Sequence, residues 1–128
     1  MILGMGIDIC PISRIEDIVD RQGDLFTNRV FTQEERDHAK KGKKVTGERL
    51  AARWAAKEAA IKALGAPGGL KWHDMEVANS PDGAPSLILR GAAKEHADSI
   101  GVERVHISLS HAGGVSVAVV ILEGKNHD

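Results

Sequence analysis

ERLAARWAAKEAAIKALG, residues 48 to 65, reads as one long helix around which the rest of the chain must be arranged. Ala and Leu dominate it, no Pro or internal Gly interrupts it, Thr46 is placed to cap its start, and Gly65 followed by Pro67 ends it. At 100° per residue, Leu64, Leu50, Ile61 and Trp54 fall within roughly 80° of arc and form the packing face. Lys57 lies inside that stripe, and Glu58 and Lys62 stand four apart on its flank. The opposite side is nearly all Ala, flat enough for another segment to approach closely. Such a helix is buried on most sides, and charged groups at its margin are expensive unless each has a partner. One reading makes Glu58 and Lys62 an i,i+4 pair on a solvated face, contributing on the order of a few tenths of a kcal/mol. The other makes Lys57 and Glu58 part of a site that the rest of the chain completes.

Outward from the helix, residues 2 to 10 alternate. Leu3, Met5, Ile7 and Ile9 point one way and Gly4, Gly6, Asp8 and Cys10 the other, as a half-buried strand requires. Asp8 thus shares a face with two glycines, which leave space where side chains would normally pack. That space suits a ligand; equally, Asp8 is a strand-end residue satisfying backbone near Pro11. Ser13 followed by Glu16 predicts a capping box and a short helix from about Arg14 to Arg21, with Ile15, Ile18 and Val19 inward and both arginines outward. Thr32 and Glu35 predict a second capping box, opening a polar helix that runs into a basic loop at Lys40, Lys41, Gly42, Lys43 and Lys44.

Beyond the long helix, strands are predicted around Met75 to Ala78 and from Ser86 to Leu89, separated by the turn NSPDGAP. A helix from Ala92 to Ile100 ends at Gly101. Val105 to Ser110 alternates, HAGG turns the chain, and Val115 to Leu122 is almost continuously apolar, which predicts a strand covered on both faces. His111 sits at the tip of that hairpin, where a histidine is ordinarily a turn residue.

With 128 residues the sequence fits a single domain, 1–128, that buries roughly two thirds of its unfolded surface. The net charge of −1 leaves no global footprint for nucleic acid, and few aromatics are available for stacking on bases, so any anion site is local. One cysteine, Cys10, excludes a disulfide framework and suits a reducing compartment. The opening MILGMGIDICP has no basic leader and its apolar run is broken at Asp8, so it reads as neither a signal peptide nor a membrane span. These features predict a cytoplasmic protein with no membrane partner.

Asp8 on a strand and Glu58 on a helix, with Lys57 and Lys62 beside the second, form a magnesium and phosphate site in outline. Magnesium commonly takes one or two protein carboxylates and completes its shell with water and substrate phosphate, while lysines neutralise phosphoryl oxygens. No His/Cys spacing suggests zinc, and no GxSxG, GxxxxGK[ST] or GxGxxG occurs. Spacing alone therefore gives phosphoryl chemistry with magnesium.

The opening GIDICPISRI, the helix ARWAAKEAAIKALG, the turn GAP at Gly83 to Pro85 and the hairpin HISLSHAGG occur in an order that spans nearly the whole chain. Together they resemble the bacterial holo-[acyl-carrier-protein] synthases, the short class of phosphopantetheinyl transferases. The resemblance implies an α+β fold, a small antiparallel sheet wrapped on one long central helix. It implies transfer of the phosphopantetheine arm of coenzyme A to a serine of an apo acyl carrier protein, or of a carrier domain of a fatty acid synthase, with release of adenosine bisphosphate. Asp8 and Glu58 match the family's magnesium ligands, and Lys62 matches a lysine that stabilises charge on the pyrophosphate. Glu58, Asp8 or a metal-bound water remain open as acceptor of the serine proton.

Arg53, Lys62, Gly65, Pro85 and His111 fall where the family contacts coenzyme A, and Arg14 where it meets the acidic helix of the carrier. Arg21 would extend that edge, although surface solvation is the reading kept for it and for Lys40 to Lys44. The resemblance also implies a homotrimer with active sites between subunits. Trp54 stands where phenylalanine is common, and the loop GAPGGL looks shorter than the family's usual connection. The rival reading is a coenzyme A or carrier-protein binding module without transferase activity, which intact Asp8, Glu58 and Lys62 speak against.

Overall fold

The computed structural model describes residues 1–41 and 46–126. In chain order the elements are β1 (Ile2–Pro11), α1 (Ile12–Gln22), α2 (Asp24–Val30), α3 (Gln33–Ala39), α4 (Thr46–Ala63), a 3-10 turn (Trp72–Asp74), β2 (Met75–Asn79), β3 (Pro85–Leu89), α5 (Gly91–Ser99), β4 (Arg104–Ala112) and β5 (Val115–Glu123). This is an α+β arrangement of two small antiparallel sheets, β1-β5-β4 and β2-β3, around α4. Helix α4 lies against the inner face of the three-stranded sheet and touches β2 from another side.

The alanines of α4 make this possible. Leu50, Ala51, Ala55, Ala56, Ala59, Ala60, Ala63 and Leu64 are all buried, so the helix is enclosed on most sides, as its composition predicts. Its close approach to β1 is backbone on backbone. A Cβ on Gly6 would sit 1.9 Å from the Ala59 carbonyl oxygen, and one on Gly4 2.1 Å from that of Ala63. Only glycine permits strand and helix to meet at that distance. The space over Gly4 and Gly6 is therefore occupied by α4, while the Asp8 carboxylate beyond them stays partly exposed next to the open Lys62 ammonium.

It also decides which face of β1 turns inward. Gly4, Gly6, Asp8 and Cys10 face the helix, while Met5, Ile7 and Ile9 point outward and stay 62, 56 and 57 % exposed. In register beside them lie Ile121, Val119 and Val117 of β5, half-buried, and then His106, Ser108 and Ser110 of β4. Within one chain β5 is thus covered on one face only, and its second apolar face forms part of an outward apolar surface.

Helix α4 ends as predicted. Gly65 adopts a positive φ of 84°, its N–H reaches the Lys62 carbonyl at 3.1 Å, and the Ala66 N–H reaches that of Ile61 at 2.8 Å, a Schellman closure. Thr46 is the first residue of the helix rather than a cap outside it. The Thr32–Glu35 capping box is present. The Ser13–Glu16 box is not: β1 passes into α1 at Pro11, whose extended backbone serves as the N-cap, and Ser13 lies within the first turn. Helix α2 is a seven-residue element without a sequence signal strong enough to predict it; Phe26 and Val30 bury it. Trp54 stacks on Trp72 with ring centroids 4.8 Å apart, so the larger ring packs. Of the basic loop predicted at Lys40 to Lys44, residues 42 to 44 lie outside the described residues.

Candidate active site

Where β1 crosses the C-terminal half of α4, three side chains named from the sequence come together. Lys62 Nζ donates to the Ile7 carbonyl at 2.9 Å and to Asp8 Oδ1 at 3.2 Å. The ammonium thus reaches across to the strand and not along the helix to Glu58, and the simple i,i+4 surface pair is not what forms. Glu58 lies close enough to Asp8 for the two charges to interact. Its carboxyl is held above the ordinary glutamate value by burial and then by Asp8, against the opposing pull of Lys62. Two carboxylates from separate elements, one of them disfavoured as an anion, share a single ammonium.

Lys57, one residue before Glu58, does not join them. It is fully buried on another side of α4 and forms an ion pair of 2.8 Å with buried Glu35. Its Nζ also donates to the carbonyls of Trp72, at 3.0 Å, and Met75. Burial lowers the Lys57 ammonium below its ordinary value and Glu35 opposes that shift. The expectation that Lys57 contributes to a phosphate site is therefore corrected: its three donors are spent inside the fold.

The next row of the sheet carries Cys10, Ser116 and His111. Ser116 Oγ donates to the Glu48 carbonyl at 3.3 Å, and His111 Nε2 lies 3.3 Å from Glu48 Oε1, so the hairpin tip is tied to the first turn of α4. Burial pushes the Cys10 thiol up to about 11, leaving it a packing residue and not a nucleophile.

Arg53 belongs to a second group. It is 3 % exposed, about 140° around α4 from Glu58, and Nη2 donates to Asn79 Oδ1 and to His38 Nδ1, each at 2.8 Å. Burial and then the Arg53 charge lower the His38 pKa, so the ring accepts as the neutral imidazole. Arg53 Nε is buried with no partner among the described residues. Pro85 pairs with Asn79 in the β2-β3 ladder, so Arg53 and Pro85 share this corner. Gly65 stands at the exposed end of α4, and Arg14 and Arg21 are exposed on α1. Arg14 is near enough to Cys10 to act on its thiol, which puts it at the Asp8 end of β1.

Sequence reasoning missed the partners. Glu35 is visible as a capping residue, but nothing in its spacing ties it to Lys57; His38, Asn79 and Glu48 carry no signal of their own.

A family model described as the 4'-phosphopantetheinyl transferase superfamily matches residues 4–120. A holo-[acyl-carrier-protein] synthase of Beutenbergia cavernae is 47 % identical over 123 residues, 96 % of this chain and 99 % of that protein. Among solved structures, the holo-[acyl-carrier-protein] synthase of Helicobacter pylori in complex with coenzyme A superposes with a TM-score of 0.80 at 33 % identity, covering 93 % of this chain and 99 % of the other. The acyl carrier protein synthase of Mycobacterium tuberculosis superposes with a TM-score of 0.78 at 36 % identity, covering 98 % of this chain and all of that one.

Proposed function

This chain belongs to the 4'-phosphopantetheinyl transferase superfamily, and from that premise we propose that it is a holo-[acyl-carrier-protein] synthase. It transfers the 4'-phosphopantetheine arm of coenzyme A to a serine hydroxyl of an apo acyl carrier protein, giving the holo carrier and adenosine 3',5'-bisphosphate. The serine Oγ forms a bond to the phosphorus that carries pantetheine, and the bond from that phosphorus to the departing nucleotide breaks. The observation that supports this most is the meeting of Asp8, Glu58 and Lys62 at the glycine-lined crossing of β1 and α4.

Asp8 and Glu58 would hold magnesium. Their donors are all hard oxygens, and Glu58, raised first by burial and then by the Asp8 charge, lacks a full counter-charge of the kind a divalent cation supplies. When bound, the ion supplies Lewis-acid polarisation of the pyrophosphate and neutralises the phosphate that leaves. Lys62, already aimed at Asp8, places a second positive charge there for the pyrophosphate oxygens. The proton of the serine Oγ passes to one of the carboxylates at the crossing, Glu58 or Asp8.

Arg53, Lys62, Gly65, Pro85 and His111 contact coenzyme A in this reading, and Arg14, extended by Arg21, meets the acidic face of the carrier. Within one chain Arg53 and Pro85 lie in a different corner from Asp8. The outward row of Met5, Ile7 and Ile9 offers an apolar face for further copies. Both features favour a homotrimer whose sites are completed between subunits. Residues 1–128 act as a single transferase domain in the cytoplasm; among the described residues no helix is long and apolar enough to cross a membrane.

The test is chromatographic. Incubated with coenzyme A, magnesium and an apo carrier, the protein releases adenosine 3',5'-bisphosphate, and a carrier with alanine in place of its serine abolishes the release. Nucleotide release that ignores the serine, or none with any carrier, would leave the non-catalytic binding module as the better reading.

A further inference from the structure

We infer that Lys57, acting through Glu35, is a positioning residue: the buried pair sets the roll of α4 about its axis and so keeps Glu58 and Lys62 turned toward Asp8. The inference rests on the transferase reading above and adds to it a residue outside the reacting groups.

Helix α4 needs such a device. Its contact with β1 is the backbone of Ala59 and Ala63 against Gly4 and Gly6, and alanines line much of the rest of its buried surface. Methyl groups and glycines make a smooth surface on the β1 side, with few ridges to fix rotation there, so roll is set by anchors on the other sides, where Trp54 and Arg53 flank Lys57. The Lys57 ammonium distinguishes sharply. Each of its three N–H donors has an acceptor: Glu35 Oε1 on α3, the Trp72 carbonyl in the 3-10 turn, and the Met75 carbonyl that opens β2.

The acceptors are themselves held. Glu35 Oε1 also takes the Thr32 N–H and Oε2 takes the Val77 N–H, both at 2.9 Å. The neighbouring Glu76 is fixed by the Thr32 hydroxyl and by Arg90 Nη1 at 2.9 Å. Lys57 and Glu58 are consecutive, about 100° apart on the helix. Any roll that carries Glu58 away from Asp8 must pull the Lys57 ammonium off its acceptors and leave a buried charge unpaired. Setting register among similar packings is the best-attested use of a buried pair of this kind.

The experiment compares wild type with E35L/K57M, which removes both charges and keeps apolar volume, so that no unpaired ion remains. Mn2+ serves as the probe, its binding read by electron paramagnetic resonance, beside the melting temperature and steady-state transfer to an apo carrier. A fold-only role predicts that a variant melting near wild type binds and turns over like wild type. A positioning role predicts Mn2+ binding and kcat each lowered about tenfold, with KM for coenzyme A little changed, at a similar melting temperature. Mn2+ affinity and kcat within about twofold of wild type in the folded double variant would overturn the inference.

If that variant does not fold, E35D keeps both charges and draws the carboxylate back by one methylene. Weakened Mn2+ binding supports the inference, and wild-type binding overturns it. A wild-type protein that binds no Mn2+ and modifies no carrier would instead sink the transferase reading, and this inference with it.

Discussion

Adding a single methyl group at Gly6 should cost far more activity than stability. An alanine Cβ there would lie 1.9 Å from the Ala59 carbonyl oxygen, 2.8 Å from the Ala59 carbonyl carbon and 2.9 Å from the Ala63 nitrogen. All three are backbone atoms of α4, so no side chain can turn aside. Ordinary contact begins near 3.4 Å, and β1 and α4 must therefore part locally by about 1.5 Å. Overpacking of this kind costs about 1–3 kcal/mol, against a total stability of about 5–15 kcal/mol, so most molecules remain folded.

Asp8 rides on one of the two elements that separate and Glu58 on the other. Misplacing reacting groups by about 1 Å costs on the order of 100-fold in rate. Gly6→Ala should thus lower kcat about 100-fold, while the urea midpoint falls by about 1 M. Gly68→Ala, at a position with nothing within 4 Å of the added carbon, is the matched control and should leave both unchanged. Transfer measured by the mass of the carrier, beside urea melts followed by Trp fluorescence, reads the two effects separately. A Gly6→Ala protein with kcat within about threefold of wild type would refute the close-crossing argument.

Other perturbations address the remaining parts of the site. Glu58→Gln should abolish turnover and leave the fold intact; near-normal transfer would remove Glu58 from the chemistry. The same variant carries a pH signature. The folded Glu58 carboxyl is held above 4.5 by burial and by Asp8, so between 4.5 and its folded value the native state keeps the proton more readily than the unfolded chain. Its contribution to stability therefore declines as pH rises through that window. In chelator at neutral pH, calorimetry should show Glu58→Gln melting above wild type, with the gap closing as pH falls toward 4.5; a variant that melts lower at neutral pH contradicts the sign. Lys62→Met removes an exposed ion pair that contributes about 1 kcal/mol or less, so stability should barely move while transfer drops sharply. Ile7→Lys puts a charge in the outward apolar row; under the proposed trimer it should give monomers in light scattering with a parallel loss of transfer, and an unchanged assembly with full transfer would contradict the role of that row.

The long helix was the most legible element, because an uninterrupted Ala-rich run ending in Gly65 has no competing conformation. The hairpin of β4 and β5 was readable from alternation and two glycines. What periodicity does not contain is which face goes inside. For β1 the apolar residues go outward, since only glycines let the backbone of α4 come as close as it does. The same fact fills the space over the glycines themselves and leaves only the Asp8 end of the crossing partly exposed.

Within the site, Glu58 and Lys62 drew attention as charges at the margin of a buried helix and Asp8 as a carboxylate beside two glycines, while their joint role came from the family resemblance. Which partner each takes depends on tertiary approach. Lys57 and Lys62 look alike in sequence, yet one is locked to Glu35 in the interior and the other lies open beside Asp8. Glu35 had already been assigned a local duty in its capping box, and a carboxylate with two oxygens serves both.

The most direct measurement is the intact mass of an apo acyl carrier protein incubated with this protein and coenzyme A, in magnesium and in a matched sample with chelator. The expected result is a gain of one phosphopantetheine arm in magnesium and none with chelator. An unchanged carrier in magnesium, despite measurable coenzyme A binding, would contradict the transferase assignment, and an equal gain in chelator would contradict the metal role given to Asp8 and Glu58.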